Sequence, residues 1–362
     1  MNRVLLGDVV QINPSTKISK GQLVKFISMD KLDPFTKTPN GYEKKKFSSG
    51  TKFTNGDTLL ARITPCLENG KTAFVDFLDD LEVAAGSTEF VILRNIEGLT
   101  DPAYIYYLSI SPAFRDYAIK SMVGTSGRQR VQNDVLAKME LSLPPLDQQK
   151  KIANILGSLD EKIELNRRMN ETLEQLGQAL FRHYFVDNPE AKDWENIYLG
   201  DIVAITAGKG STKANLSEYG KYPLYGVSGI MGRSRSYLLN EKVIVTGRVG
   251  TLGVVRAVVD KAWFSDNVII MKPDPSIFGY VFYVVCGIDY VSLNRGSTQP
   301  LITQTDLKNQ RVKLPPLPTL QRFENSYAVI FNQIQANKRQ MSTLVAIRDS
   351  LLPKLISGEI EV

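Results

Sequence analysis

Apolar residues recur at alternating spacings of four and three residues in two long segments of the chain. The first segment runs without a proline from Asp147 to about Phe185, and its apolar positions are Ile152, Leu156, Leu159, Ile163, Leu173, Leu176 and Leu180. The second has Phe323, Tyr327, Ile330, Ile334, Met341, Leu344, Ile347 and Leu351. This heptad-like spacing predicts two long helices. A helix over residues 147–185 would be a rod about 58 Å long, and such a rod cannot bury its apolar stripe alone. We therefore expect the two helices to pack against each other, antiparallel.

The two helical segments belong to an internal duplication. The string LPPL stands at residues 143–146 and again 171 positions later, and this offset stays constant through both helices. Earlier matches keep their order while their offset drifts from 193 to 186 and 178. The matched segments are 6–10 with 199–203, 61–63 with 247–249, and 87–93 with 265–271. A constant offset beside drifting flanks indicates that the length of the helices matters, and it argues against the simpler alternative that they only form a bundle core.

Prolines mark the predicted starts of the two helices, and asparagines mark their midpoints. The prolines of each LPPL string forbid an earlier start, so each helix is predicted to begin just after it. Asn166 and Asn337 interrupt the two seams at the same offset of 171. In an antiparallel pair these midpoints meet, and we predict that the two amides bond across the seam and fix its register. The alternative is that each asparagine faces solvent.

The segment before each helix has the pattern of a mixed domain. Short β-branched runs alternate with a helical stretch around residues 104–108 in one copy and 280–285 in the other. The β-branched runs are 58–63, 243–245, 254–259 and 268–271. We therefore predict a duplicated α/β (α+β) protein, pseudo-twofold symmetric, in which two long antiparallel coiled-coil helices separate two globular domains. The predicted boundaries are 1–142 and 192–313 for the domains, and 143–191 and 314–362 for the helices.

Composition excludes several classes of function. The single histidine, His183, removes zinc triads and most general-base constellations, and Cys66 with Cys286 cannot make a disulfide framework or a cysteine-rich metal site. No apolar run approaches the ~20 residues that span a bilayer, so we expect a cytoplasmic protein. We predict neither catalytic nor metal-binding residues. The 44 lysines and arginines against 38 acidic residues, with a pI near 9.0, hint at a polyanionic partner.

Basic residues beside glycines and small polar residues are the candidates for contact with that partner. Such loops let backbone amides and guanidinium groups approach phosphates and base edges. Arg62 and Arg248 stand out because each follows an apolar strand at corresponding places in the two copies. For these two a structural salt bridge is the alternative, and for any single lysine it is a solvated surface charge. The remaining candidates are Lys44, Lys45, Lys71, Arg128, Arg130, Lys209, Lys213, Arg233, Arg235 and Arg295.

The strings in and around these loops resemble those of the DNA-specificity subunit of Type I restriction-modification systems, over the whole chain. The second copy carries the resemblance in residues 222–226, 247–250, 296–299 and 314–317. The first copy follows the family pattern less closely, with Gly127-Arg128-Gln129 and the helix entry at residues 143–150. LPPL alone would discriminate poorly between families, but its combination with the duplication and the two heptad helices is specific.

The resemblance implies a protein that reads DNA and has no catalytic site. Each recognition domain would read one half of a bipartite, asymmetric target in the major groove, and the helices would hold the halves apart. The helices would also dock two adenine-N6 methyltransferase subunits, and a motor-nuclease subunit would join through the complex. S-adenosylmethionine, ATP and Mg²⁺ are then expected only on those partners.

An enzyme and a protein tether are the two alternatives to DNA recognition. An enzyme would need a signature that the sequence lacks, because there is no Asn-Pro-Pro-aromatic string, and Gly70-Lys71-Thr72 lacks the earlier glycine of a phosphate-binding loop. A coiled-coil protein whose two heads tether other proteins is the second alternative. Binding to duplex DNA that weakens steeply with salt distinguishes DNA reading from tethering.

Overall fold

The computed structural model describes residues 2–125, 127–210, 217, 219–296 and 299–362. The chain divides into two compact units, one made of Met1–Arg168 with Asn337–Val362 and the other of Met169–Ala336. The helices are α1 (Leu6–Val9), α2 (Pro102–Ile110), α3 (Pro112–Lys120), α4 (Asn133–Ala137), α5 (Leu146–Phe181), α6 (Leu199–Ile202), α7 (Phe278–Cys286), α8 (Gln304–Lys308) and α9 (Leu317–Ser357). Short 3-10 turns lie at Met29–Lys31, Pro189–Asp193 and Pro275–Ile277, and a π-helical turn at Arg182–Val186 extends α5.

The described residues of the first unit form three sheets. Its strands are β1 (Asn2–Leu5), β2 (Val10–Ile12), β3 (Leu23–Ile27), β4 (Glu43–Lys46), β5 (Thr51–Phe53), β6 (Thr58–Ala61), β7 (Thr72–Phe74), β8 (Ala84–Gly86), β9 (Phe90–Asn95) and β10 (Glu140–Leu143). Strands β1 and β10 form an antiparallel ribbon, β2-β9-β6-β7 an antiparallel sheet, and β4-β3-β8-β5 a sheet in which β3 and β8 are parallel.

The second unit repeats this plan. Its strands are β11 (Glu195–Tyr198), β12 (Val203–Ala207), β13 (Tyr222–Gly226), β14 (Gly229–Ser234), β15 (Val243–Gly247), β16 (Arg256–Val258), β17 (Trp263–Phe264), β18 (Val268–Pro273) and β19 (Arg311–Leu314). The β11–β19 ribbon, the β12-β18-β15-β16 sheet and the β14-β13-β17 sheet correspond to the three sheets of the first unit. Even the parallel pair recurs, as β13 with β17. The predicted duplication and the predicted mixture of strands and helices are confirmed.

The ribbon of each unit leads directly into its long helix. Leu143 pairs with Asn2 and Leu314 with Glu195, so the first leucine of each LPPL string ends a strand. The two prolines then block any earlier helical turn, and α5 and α9 begin at the last leucine of the string. Gly358 follows α9 with a φ of +76°, a left-handed conformation that ends the helix without a Cβ clash.

The two helices run antiparallel in the first unit. Asn166 bonds to Gln340 and Asp160 to Arg348, so the residue numbers of the partners change in opposite directions along the pair. Ile152 and Leu156 of α5 and Leu352 and Leu355 of α9 all enter the core of this unit. The start of one helix and the end of the other therefore pack on the first domain.

The core of the second unit uses the complementary ends. Phe323 and Tyr327 at the start of α9 pack with Phe185, which lies in the π-helical turn after α5. Helix α7 supplies Tyr280 and Tyr283 to the same aromatic cluster. Edge-to-face and stacked rings of this kind fix side-chain geometry as well as burying apolar surface.

Candidate nucleic-acid interface

Arg62 lies directly beyond β6 and is anchored through its backbone on both sides. Its N–H donates to the Glu89 carbonyl at 2.9 Å, and its carbonyl accepts from the Val131 N–H at 2.9 Å. The side chain is engaged as well, because one guanidinium nitrogen donates to the Val131 carbonyl at 3.2 Å. Arg62 is half-buried and forms no ion pair in the described part of the chain. The alternative that Arg62 forms a structural salt bridge therefore does not hold for these residues.

Arg248 occupies the equivalent backbone position beyond β15. Its N–H donates to the Asn267 carbonyl at 2.8 Å and its carbonyl accepts from the Ile302 N–H at 3.0 Å, the same two bonds that hold Arg62. Its side chain, however, is exposed. Among the described residues its guanidinium has no hydrogen bond or ion pair. The duplication thus holds the backbone constant and changes the surroundings of the arginine.

Arg130 lies beside Arg62 in a charged group of the first unit. Its guanidinium binds both carboxylate oxygens of Glu89, with N–O distances of 2.7 to 3.1 Å. These bonds from Arg130 hold the pKa of Glu89 below its ordinary value. A carboxylate so placed neutralises Arg130 and leaves a fixed pair of donor and acceptor groups next to Arg62.

The other predicted contact residues fall into two groups. Four are engaged within their own unit: Lys71 donates to the Met29 carbonyl, Arg233 to the carbonyls of Gly220 and Lys221, Arg295 pairs with Asp306, and Lys45 lies over the Phe26 ring. Four have exposed side chains, and those side chains have no polar partner among the described residues: Lys44, Arg128, Lys209 and Arg235. Lys213 lies outside the described residues.

The two seam asparagines are both buried, with 1% of Asn166 and 3% of Asn337 exposed. Neither asparagine faces solvent, so the alternative of two solvent-facing asparagines is wrong. The Asn166 amide donates to the Gln340 side chain at 2.8 Å, one helical turn from Asn337. Their role in fixing the register of the helices stays a prediction.

A family model described as "Type I restriction modification DNA specificity domain" matches residues 1–175 and 191–337. The chain belongs to this family. The two matched ranges cover both halves of the duplication and most of the chain. The predicted membership of the specificity subunits is therefore confirmed.

Two curated relatives carry the same function in their names. The MjaIX specificity subunit of Methanocaldococcus jannaschii is 27% identical over 299 residues, which are 72% of this chain and 69% of the relative. The HindI specificity subunit of Haemophilus influenzae is 32% identical over 170 residues, or 45% of this chain and 36% of the relative. Among solved structures, the Type I S subunit of M. genitalium matches with a TM-score of 0.57 at 17% identity, covering 98% of this chain and 96% of that one.

Membership of this family decides between an enzyme and a non-catalytic subunit that recognises DNA. The specificity subunit is the non-catalytic part of a Type I restriction enzyme that recognises DNA sequence, and it works with partner subunits. The prediction that this chain is not itself an enzyme is confirmed at that level. Within the described ranges there is no group of His, Cys, Asp and Glu that could hold a metal ion, and no helix is long and apolar enough to cross a membrane.

The specificity subunit also contains a buried ionic cluster that sequence reasoning missed. Arg348 of α9 donates to Asp160 of α5 at 2.7 Å, and the other oxygen of Asp160 accepts from the Tyr107 hydroxyl at 2.8 Å. Burial opposes the charge of Arg348, but Asp160 and Asp349 raise the pKa of the guanidinium well above its ordinary value. Asp160 lies between two heptad positions and Arg348 follows Ile347, so the apolar period gave no signal for the pair.

Proposed function

We propose that this specificity subunit reads a bipartite, asymmetric target in duplex DNA, with one half-site for each globular domain. The observation that supports this most directly is the duplicated arginine. Arg62 and Arg248 have equivalent backbone bonds, yet the Arg62 guanidinium is held by the Val131 carbonyl and the Arg248 guanidinium has no partner among the described residues. Two domains with one scaffold and different donor arrays would recognise different bases.

The positive groups around these arginines suit a polyanion. Arg128 is exposed near Arg62, and Lys209 is exposed on the loop after β12 of the second unit. The Lys209 N–H donates to the Phe264 carbonyl, which fixes that loop beside the end of β17. Exposed cations near a base-reading arginine would supply contacts to phosphate and orient the domain on the duplex.

The two long helices would set the distance between the half-sites and dock two adenine-N6 methyltransferase subunits, which would connect a restriction subunit to the complex. S-adenosylmethionine, ATP and Mg²⁺ would be bound by those partners. The site of action would be the cytoplasm, where the DNA substrate lies.

Methylome sequencing of cells that express this subunit with its methyltransferase partner tests the proposal. We expect adenine methylation at two short half-sites separated by a fixed nonspecific gap, with half-site centres about 34 Å apart, one turn of B-DNA. A single continuous palindrome would contradict it. Methylation that does not depend on the subunit, with no salt-dependent binding to duplex DNA, would instead favour the tethering alternative.

A further inference from the structure

Arg348 is held in one orientation inside the first unit. Its side chain is 4% exposed, and besides Asp160 it binds Asp349, whose carboxylate accepts from two guanidinium nitrogens at 3.0 and 2.9 Å. A planar guanidinium bound on several edges cannot rotate without breaking these bonds. Arg348 is therefore a fixed point on α9.

From this fixed point one further bond reaches the first globular domain. The same nitrogen of Arg348 that binds Asp160 donates to the Phe35 carbonyl at 3.2 Å. Phe35 has a φ of +56°, a left-handed conformation that a bulky side chain rarely adopts. It is also 43% exposed, so burial alone does not hold it there. A residue in a strained and exposed position needs an outside contact to keep it, and the Arg348 bond is such a contact.

Phe35 in turn holds the loop that follows Arg62. Its N–H donates to the Gly70 carbonyl at 3.0 Å, and its ring packs so closely on Gly70 that a Cβ there would lie 2.5 Å from the ring. The Arg115 guanidinium lies 4.7 Å from the centre of the ring and donates to the carbonyls of Leu67 and Glu68. Phe35 and Arg115 together grip residues 67–70.

That loop is continuous with the candidate contact residues. Leu67 N–H donates to the Ile63 carbonyl at 3.1 Å, and Thr64 N–H donates to the Gln129 carbonyl at 3.0 Å, beside Arg128 and Arg130. A shift of residues 67–70 would therefore move Arg62 and the Gln129 segment with it. The chain of contacts runs from α9 to the basic edge of the first domain.

We propose that Arg348 is a positioning residue for DNA reading by the first domain, acting through Phe35 on the loop of residues 62–71. This inference rests on the proposed function, since it assumes that the basic edge meets DNA. It assigns to a residue of a long helix an effect on the recognition of one half-site.

The second unit supports the restriction to one half-site. The residues at the equivalent places, 171 positions away, are Gly177 for Arg348 and Phe331 for Asp160, and neither can form an ion pair. The loop after Arg248 packs instead on an aromatic ring, because a Cβ on Gly253 would lie 3.2 Å from Tyr290. In that unit, apolar packing thus takes the place of the link that runs from Asp160 and Arg348 through Phe35 to the loop of residues 62–71.

An open groove beside the link explains why one hydrogen bond can matter. The groove has a volume of about 800 Å³, with Thr36 and Lys37 on one wall and Leu165 and Val345 of the long helices on another. The loop that carries Phe35 therefore borders open space instead of packing fully on the helices. Phe35 and Arg348 both line this groove.

The test uses the full chain and duplexes that carry the methylome motif with base changes in one half-site or the other. The first domain's half-site is the one that survives exchange of residues 192–313. Two variants interrupt the link at different points: Arg348→Lys keeps the charge beside Asp160 but loses the planar fork, and Phe35→Ala removes the ring that grips Gly70. Leu81→Ala is the control, because Leu81 is 99% exposed in the same unit and also has a positive φ, of 61°.

We expect both link variants to lower discrimination at the first half-site by about two- to thirtyfold, the usual range for residues that couple distant sites. Discrimination at the second half-site should stay at the wild-type level in both link variants, and Leu81→Ala should keep wild-type discrimination at both half-sites. Thermal midpoints of all variants are measured alongside. Equal losses at both half-sites, no loss, or a loss with Phe35→Ala but not with Arg348→Lys would overturn the role of Arg348. A wild-type chain that discriminates at neither half-site would instead refute the proposed function.

Discussion

Replacing Arg248 by alanine separates DNA contact from structural support. Its guanidinium is exposed and bonds to no described residue, so its removal should leave the free energy of unfolding within about 0.5 kcal/mol of wild type. A bidentate contact to a base contributes about 1–3 kcal/mol of discrimination. At 1.4 kcal/mol for each factor of ten, binding to the cognate duplex should weaken by about 5- to 150-fold. Arg62→Ala is the matched variant, and it should also lose about 1 kcal/mol of stability because the Val131 carbonyl loses its donor.

Fluorescence anisotropy with the cognate duplex and with duplexes changed in either half-site measures the effect of Arg248→Ala. The expected result is relaxed recognition of the second domain's half-site and unchanged recognition of the other. An equal loss on every sequence, with a salt dependence reduced by about one charge, would reassign Arg248 to a phosphate. Unchanged affinity for every duplex would refute the reasoning.

Three further predictions concern stability and spacing. Asp57 is fully buried and binds Arg94 through both oxygens at 2.6 Å; Asp57→Ala should cost about 3–5 kcal/mol in urea unfolding, and a loss below 1 kcal/mol would contradict the importance of the pair. Burial lowers the pKa of Lys242 to about 8 from 10.5. Because the folded chain then releases this proton at lower pH than the unfolded chain, the contribution of Lys242 to stability rises between pH 8 and 10.5. Lys242→Met should remove that rise in denaturation curves measured across this pH range. Four residues inserted into both α5 and α9 would lengthen each by about 6 Å and should widen the methylated gap by about two base pairs, whereas an unchanged gap would show that the helices do not set it.

The helices and the duplication were predictable because few residue types can satisfy their geometry. Prolines of the LPPL strings stop any earlier helical turn, and a constant offset of 171 through both seams leaves one register for the comparison. Helices α5 and α9 accordingly begin at Leu146 and Leu317, equivalent residues of the two strings. The continuation of α5 into a π-helical turn at Arg182–Val186 left no trace in the apolar period.

Differences between the two copies could not be predicted, because they depend on contacts between residues far apart in sequence. Arg62 and Arg248 follow similar strands, yet only the structure shows that Val131 holds one of them. Asp160 and Arg348 are 188 residues apart, and each would pass for a solvated charge beside a heptad seam. Burial joins them, and burial of a charge requires a partner that the local sequence does not reveal.

The central claim is that each globular domain reads its own half of the DNA target. Exchange of residues 192–313 for the equivalent domain of a relative with a different target, followed by methylome sequencing, tests it most directly. We expect a new motif in which one half-site is replaced while the other half-site and the gap are unchanged. A motif altered in both halves would contradict independent reading by the two domains, and so would an unaltered motif.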